Sequence, residues 1–491
     1  MLTTRTLAPP VPVACIITIS GNHAWLHGSF PRDVVRKATS HYVDGFQFMP
    51  RFKKMVRNPQ TGQRYRLWDG REHYFDVRTG CMPAGLVATV ITALREYAAN
   101  ASISVDDRRV RPEVSEDPFD LCGIEFGQGK YDFQLEAAQA LVAGQRGILK
   151  IGTGGGKTEC AAAVTKHLHV PTLFLVERLE LLYQTRERFA LRLGIDERNI
   201  GLIGDQQFTV GEWITVATPK SFDARIAEPV LQKCLLWWQL VWADECHRVA
   251  STTFFRVMSK LQAHYRFGMS AAPLNREDGH DLKLIAQTGP VLYDMPMREL
   301  VRRGIVVPPH LEMVKIKEPV ISAEKYAEVN RLGVVENEHL NRVVVERAQK
   351  YVRAGKQVLI LVELKKHGKL LSTRLTDALV KHQYLDGSMD TGVRRKALAD
   401  LKSGELRCVV SLPILDEGVD IPGIDVLILA GGGKAKIRLL QRVGRGLRLD
   451  SNKERLQIID FANYCHEHLL KHSLERLRTY KAEECFVIST S

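Results

Sequence analysis

The sequence predicts an α/β fold, two similar parallel-sheet lobes behind a small α+β head, and three observations lead there. Between residues 121 and 304, apolar strand-like runs at 147–151, 172–176, 213–217, 240–243 and 266–269 alternate with amphipathic helical stretches. That alternation belongs to a parallel sheet with helices on both faces. After Val306-Val307-Pro308-Pro309 the pattern restarts, with strand candidates at 357–362, 408–412, 426–429 and 457–459. The chain has 491 residues, too many for one hydrophobic core. The expected domains are 1–112, 113–305 and 306–491.

In the head, alternating apolar residues over 11–20 read as a strand, and Pro31 opens a helix expected over 32–42. Asp69-Gly70 lies between strand-like residues, the pattern of a two-residue hairpin. Pro83 opens a second helix, expected to reach about Ala99. Residues 105–120 are polar, with Asp106-Asp107-Arg108-Arg109, Pro112 and Pro118, and read as a linker.

The chemistry concentrates at Gly152-Thr153-Gly154-Gly155-Gly156-Lys157-Thr158, between the strand ending at Ile151 and an Ala-rich helical run to Leu168. Strand, glycine loop, Lys-Thr and helix make a phosphate cradle. Backbone N–H groups turn onto phosphate oxygens at a helix N-terminus, Lys157 reaches the β/γ-phosphates and Thr158 holds Mg²⁺. ATP with Mg²⁺ is the expected cofactor pair. Downstream, the apolar run 240–243 ends in Asp244-Glu245-Cys246-His247. A carboxylate at a strand end suits Asp244 as the second Mg²⁺ contact and Glu245 as the group that polarises the attacking water. Arg445 and Arg448, three apart in Gln441-Arg442-Val443-Gly444-Arg445-Gly446-Leu447-Arg448, share one side of a helical segment. They are expected either to reach a γ-phosphate or to form a solvated basic face.

Taken in order, these motifs resemble those of the superfamily 2 helicases, over residues 121–465. The resemblance implies two tandem RecA-like parallel-sheet lobes preceded by a small α+β DNA-binding domain. It assigns adenine recognition to Gln134 of Tyr131-Asp132-Phe133-Gln134, and nucleic-acid contacts to Arg178 in 173–184 and to Thr218 and Lys220 in Thr215-Val216-Ala217-Thr218-Pro219-Lys220. It assigns coupling to His247, to Ser270 of Ser270-Ala271-Ala272-Pro273, and to Gln441. It places Asp420, in Asp416-Glu417-Gly418-Val419-Asp420, at the ATP and Ser411 on the nucleic acid. Catalysis falls to Lys157, Asp244, Glu245, Arg445 and Arg448. Two positions depart from the family pattern. Ala272 stands where a Thr is usual, and Glu177-Arg178 where Pro-Thr is usual, with Glu177 expected to face away or to pair with Arg178. Closure of the lobes on ATP and opening after hydrolysis would move the protein along a strand.

The track is read from weaker signals. Formal net charge is +13, which favours a polyanion such as nucleic acid. No apolar run approaches the ~20 residues of a membrane helix. Nine cysteines without CxxC spacing indicate neither zinc nor a disulfide framework, so a cytoplasmic site is expected, the host's if the chain is phage-encoded. Cys465-His466-Glu467-His468 cannot converge on one ion from one helix. Asp-Glu-Cys-His also occurs in relatives that act on double-stranded RNA. Against that, Lys365-Lys366-His367-Gly368-Lys369, Gly432-Gly433-Lys434-Ala435-Lys436 and the head pattern (Trp68-Asp69-Gly70, Phe75, Thr79-Gly80, Pro83, Gly85-Leu86) resemble the UvsW-type recombination helicases of phages. In the head Arg51, Lys53, Lys54, Arg57, Arg64, Arg66 and Arg71 interleave with Phe52, Tyr65 and Trp68, as a duplex-binding or strand-separating surface requires. Trp68, Arg71 and His367 complete the expected contacts, with a turn residue the equal alternative for His367. The resemblance implies a DNA helicase or translocase on forked or four-way junctions; contacts to the backbone imply little sequence preference, and a monomer, with other replication or recombination proteins as further partners, is the expected state. An RNA helicase, a restriction-system motor and a non-catalytic clamp are the alternatives.

Overall fold

The computed structural model describes residues 13–274, 281–389, 391–412, 424–431 and 454–491. Two compact units are present, Met1–Lys150 with Lys157–Asp294, and Ile151–Gly156 with Met295–Ser491.

The head belongs to the first unit. Its strands are β1 (Ala14–Ser20), β2 (His23–Ser29), β3 (Ser40–Tyr42), β4 (Met55–Arg57), β5 (Arg64–Arg66), β6 (Arg71–His73), β7 (Cys81–Pro83) and β8 (Ser102–Asp107). The main sheet has the order β7-β2-β1-β8, with β8 parallel to β1 and the other pairs antiparallel. Alternation along β1 buries Cys15, Ile17 and Ile19 against the helices Arg32–Ala38 and Val87–Tyr97.

Three expectations for the head need correction. The first helix stops at Ala38, and Ser40–Tyr42 is a strand paired with β6. Asp69-Gly70 makes a turn, with the Asp69 carboxylate accepting from Arg71 N, but no hairpin: β5 pairs with β4, and β6 with β3. The hairpin lies at 58–62, where Asn58 Oδ1 accepts from Gln60 N and Thr61 N and Gly62 takes φ +71°. Lastly, Val105–Asp107 belongs to β8, and beyond it Arg109 is tied to Asp107, Gln145 and the carbonyl of His264.

Lobe 1 adds β9 (Arg146–Ile151), β10 (Thr172–Leu175), β11 (Gly201–Gly204), β12 (Gln207–Phe208), β13 (Ile214–Ala217), β14 (Leu240–Asp244), β15 (Tyr265–Ser270) and β16 (Val291–Met295). The sheet order is β12-β11-β13-β10-β14-β15-β9-β16. The strands from β11 through β13, β10, β14 and β15 to β9 pair in parallel. β10, β11 and β13 are buried along their whole length, as strands covered on both faces must be.

The head is seated on this lobe. Ala286, from the helix Asp281–Thr288, lies in the head's own core, with Leu282 and Ile285 packed against it. Lys283 pairs with Glu72 at 3.4 Å, and Asn22 Nδ2 donates to the Leu261 carbonyl. Gly85 permits the closest approach, since a Cβ there would stand 2.1 Å from the Ile285 carbonyl oxygen and 2.7 Å from that of Ala286. Both obstacles are backbone and cannot swing away. Gly85→Ala is therefore expected to cost about 1–3 kcal/mol and to lower the unfolding temperature of the full chain. An unchanged unfolding temperature would mean that the head does not sit on this helix.

The second unit holds β17 (Pro309–Ile316), β18 (Val358–Leu361), β19 (Gln383–Leu385), β20 (Cys408–Ser411), β21 (Val426–Leu429), β22 (Leu456–Asn463) and β23 (Val487–Thr490). They form one sheet in the order β19-β20-β18-β21-β22-β17-β23, parallel at every pairing. Its helices Glu338–Arg353, Lys365–Asp377 and Glu467–Ala482 bury Val344, Leu371, Leu375 and Leu469 in the core. The two parallel-sheet lobes agree with the fold class expected from sequence.

Candidate active site

Parallel strands end together, so whatever follows them collects at one edge of the sheet. In lobe 1 the carboxyl edge carries the glycine loop after β9, Glu177 and Arg178 after β10, Thr218 after β13, Asp244 at the end of β14 and Ser270 at the end of β15. The register places Ser270 opposite Lys150 of β9, and Met269 opposite Asp244.

The loop 152–156 runs into the helix Lys157–Leu168. Gly154 and Gly156 have φ of +89° and +84°, a region a side chain disfavours. Thr153, Lys157 and Thr158 are half-buried, and Lys157 and Thr158 lie in the helix's first turn. Gln134 is buried in the first turn of Phe133–Gly144, the helix that packs on the one beginning at Lys157.

Asp244 and Glu245 make the electrostatic centre. The Asp244 carboxylate accepts from the Glu245 backbone N–H at 2.8 Å. Burial and then the neighbouring Glu245 push its pKa up, Lys157 pulls it back, and Glu177 adds a smaller upward push. Burial and a neighbouring like charge thus both work against the charge on Asp244, with Lys157 the opposing cation. Glu245 has φ 44° and ψ 51°, a left-handed backbone held by a non-glycine residue, and such local strain clusters at functional sites. Its Oε2 accepts from the Ser270 hydroxyl at 3.2 Å and lies 3.4 Å from His247 Nδ1, while Nδ1 and Ser270 Oγ are 3.3 Å apart. Glu245 and His247, neighbours in the turn after β14, and Ser270, from the end of β15, therefore close a triangle around one carboxylate. The Ala272 backbone N–H donates to Ser270 Oγ at 3.3 Å, so this link involves the main chain and needs no hydroxyl at position 272.

Several sequence expectations take a different form. Glu177 pairs with Arg248 at 3.1 Å, a partner the sequence reading did not name. Arg248 was missed in the sequence, although its place directly after His247 was the available signal. Arg178 is half-buried and Lys220 exposed at the same edge, while Thr218 is buried with its hydroxyl capping Ser221 N. In the second unit His367 is 1% exposed, its Nε2 2.8 Å from Asn341 Oδ1, and burial pushes its pKa down to about 4. It occupies the inner face of a helix's first turn, so the expected nucleic-acid contact through its ring is corrected. Ser411 is likewise enclosed at the end of β20, its hydroxyl donating to the Leu412 carbonyl. In the head Trp68 donates to the Arg71 carbonyl at 2.7 Å and carries the Arg51 guanidinium 3.5 Å above its ring. Arg71 lies 4.0 Å over Tyr42 and donates to Ser40 Oγ. Both side chains are engaged within the head. Asp420, Gln441, Arg445 and Arg448 lie outside the described residues.

Comparison with known proteins adds to this geometry. Residues 130–275 match the family model described as "Type III restriction enzyme, res subunit", and residues 338–450 that described as "Helicase conserved C-terminal domain". The chain is 28% identical over 373 residues to the DNA 3'-5' translocase XPB2 of Sulfurisphaera tokodaii, covering 67% of this chain and 80% of that one. It is 23% identical over 496 residues to the ATP-dependent DNA helicase uvsW of Enterobacteria phage T4, covering 92% and 93%. Among solved structures, S. cerevisiae Dbp5 bound to RNA and ADP BeF3 is similar in fold, with TM-score 0.52, 16% identity, and coverage of 73% of this chain and 88% of that one.

Proposed function

The chain belongs to the superfamily 2 helicases, and from that premise we propose that it is an ATP-dependent DNA translocase that remodels branched DNA by branch migration, fork regression and junction unwinding. One observation carries the motor reading: Asp244, Glu245, His247 and Ser270 converge at the carboxyl edge of the sheet that also delivers the glycine loop. The choice of DNA rests on the similarity to the phage T4 helicase, which spans 92% of this chain and so takes in head as well as lobes.

In this reading the loop amides and Lys157 bind the phosphates of ATP, Gln134 binds the adenine, and Thr158 and Asp244 hold Mg²⁺. The cation, when bound, neutralises phosphate charge. Glu245 orients the attacking water and accepts its proton. His247 and Ser270 position that carboxylate, and because Ser270 ends a neighbouring strand, a shift of that strand end would move the base. Arg445 and Arg448 are assigned to transition-state charge and Gln441 to coupling. Arg178 and Lys220 are assigned to the DNA backbone, contacts that position without reading sequence. Forks or four-way junctions as preferred substrates, a monomeric state and a cytoplasmic location complete the proposal.

The test is ATP turnover with single-stranded, duplex, forked and four-way-junction DNA and with duplex RNA, at matched salt. Branched DNA should stimulate most, and stimulation by RNA alone would sink the DNA assignment. Ser270→Ala should lower kcat about 10–100-fold, the worth of a hydrogen bond to a charged group, with KM for ATP unchanged. An equal rise in KM would show that Ser270 supports ATP binding instead of the base.

A further inference from the structure

The opposite, amino-terminal edge of the lobe 1 sheet holds a second concentration of charge. Arg146 opens β9 and Arg266 lies near the start of β15, and the register pairs them directly. Side chains paired in this way share one face, where like charges repel.

Arg266 resolves its own charge. It is 1% exposed, and its guanidinium donates to the carbonyls of Met258, Leu261 and Gln287 at 2.7–2.9 Å. Arg109 likewise has Asp107, Gln145 Oε1 and the His264 carbonyl as acceptors. Arg146 has none of these. Its Nε and Nη2 are enclosed without a hydrogen-bond acceptor among the described residues, although the residue as a whole keeps part of its surface in solvent. Beside it His264 is 4% exposed, and both of its ring nitrogens lack hydrogen-bond partners among the described residues. Arg266 and Arg109 both act on Arg146 as like charges, with Asp107 the opposing carboxylate. An arginine stays charged in a protein, and an oxyanion is a partner that suits enclosed guanidinium donors.

We propose that Arg146, with His264, forms a binding site for a small phosphate-class oxyanion where the head meets lobe 1. A guanidinium fork matches two oxygens of a tetrahedral oxyanion, and a neutral imidazole N–H supplies a third donor. The Arg109 side chain is 8% exposed and His264 4%, so these groups are too enclosed to lie along a polymer backbone. It lies the length of β9 away from the glycine loop, roughly 16–20 Å for a six-residue strand. Because Arg109 joins the end of β8 to the starts of β9 and β15, an anion here would strengthen the seat of the head on lobe 1.

The test replaces chloride by inorganic phosphate at constant ionic strength and follows thermal unfolding of the full chain. Lys157→Ala serves as the host, so that the glycine loop does not supply the response. Phosphate should raise Tm by about 2–4 °C, saturably, and Arg146→Met in the same host should abolish the rise. Arg146→Lys, which keeps the charge without the fork, should retain less than half of it and serves if the Met variant does not fold. An equal rise in host and variants would be a general salt effect and would overturn the site, as would no rise over chloride in the host.

Discussion

Glu245→Gln is expected to lower ATP turnover by a factor of about 10²–10⁴, the usual contribution of a general base, while DNA binding persists. The amide keeps the size of the carboxylate and still accepts from the Ser270 hydroxyl, which lies 3.2 Å from Oε2 in the parent. What it loses is the capacity to take a proton. Steady-state turnover on forked DNA, alongside equilibrium binding of the same DNA, separates chemistry from recognition. Turnover within tenfold of the parent would remove Glu245 from the role of base. Loss of turnover together with loss of DNA binding would instead point to a structural role for the strained segment, where Glu245 holds a left-handed backbone.

Arg476→Met should cost about 3–5 kcal/mol, the scale for removing one partner of a buried ion pair. Arg476 reaches from the helix Glu467–Ala482 to β22, where Nε and Nη2 donate to the two Asp460 oxygens at 2.9 and 2.8 Å. Both side chains are almost wholly enclosed, at 6% and 0% exposure. Burial opposes the charge on Arg476, but Asp460 outweighs it and holds the guanidinium's pKa above its ordinary value. Tyr480 and the Phe461 N–H complete the shell around the carboxylate. Without the guanidinium a carboxylate is left buried with only neutral donors. Adding Asp460→Asn to the Met variant should restore part of the loss. Urea unfolding and amide exchange in β22 measure both, and a single variant within 1 kcal/mol of the parent would refute the expectation.

Much of the fold was legible because its signals are local. A strand buried on both faces is apolar throughout, and a glycine loop between strand and helix occupies a few consecutive residues. Hence β9, β10, β13, β14, β15, β18, β20 and β21 all fall on or within a residue or two of the runs picked out by pattern. The head was read less well. Asp69-Gly70 does turn the chain, but turn chemistry does not name the partner of the strands on either side, and β5 and β6 each pair elsewhere. The Lys365-Lys366-His367-Gly368-Lys369 run reads as uniformly polar, yet it begins a helix that points His367 into the core. Glu177 was expected to face away or to bind its neighbour, and it binds Arg248, which a different strand brings alongside.

By itself, then, the sequence determined the two parallel-sheet lobes and picked out the glycine loop after β9 and the acidic pair at the end of β14, since each is a local pattern. Only the tertiary structure decided which groups meet. It closed the triangle of Glu245, His247 and Ser270, it seated Gly85 of the head on the backbone of the helix that follows lobe 1's β15, and it left Nε and Nη2 of Arg146, beside Arg266, without an acceptor among the described residues. The physical reason is that periodicity reports which face of an element is buried, whereas hydrogen bonding, charge pairing and close backbone approach depend on what packs against that face, and that is settled by strand order and register.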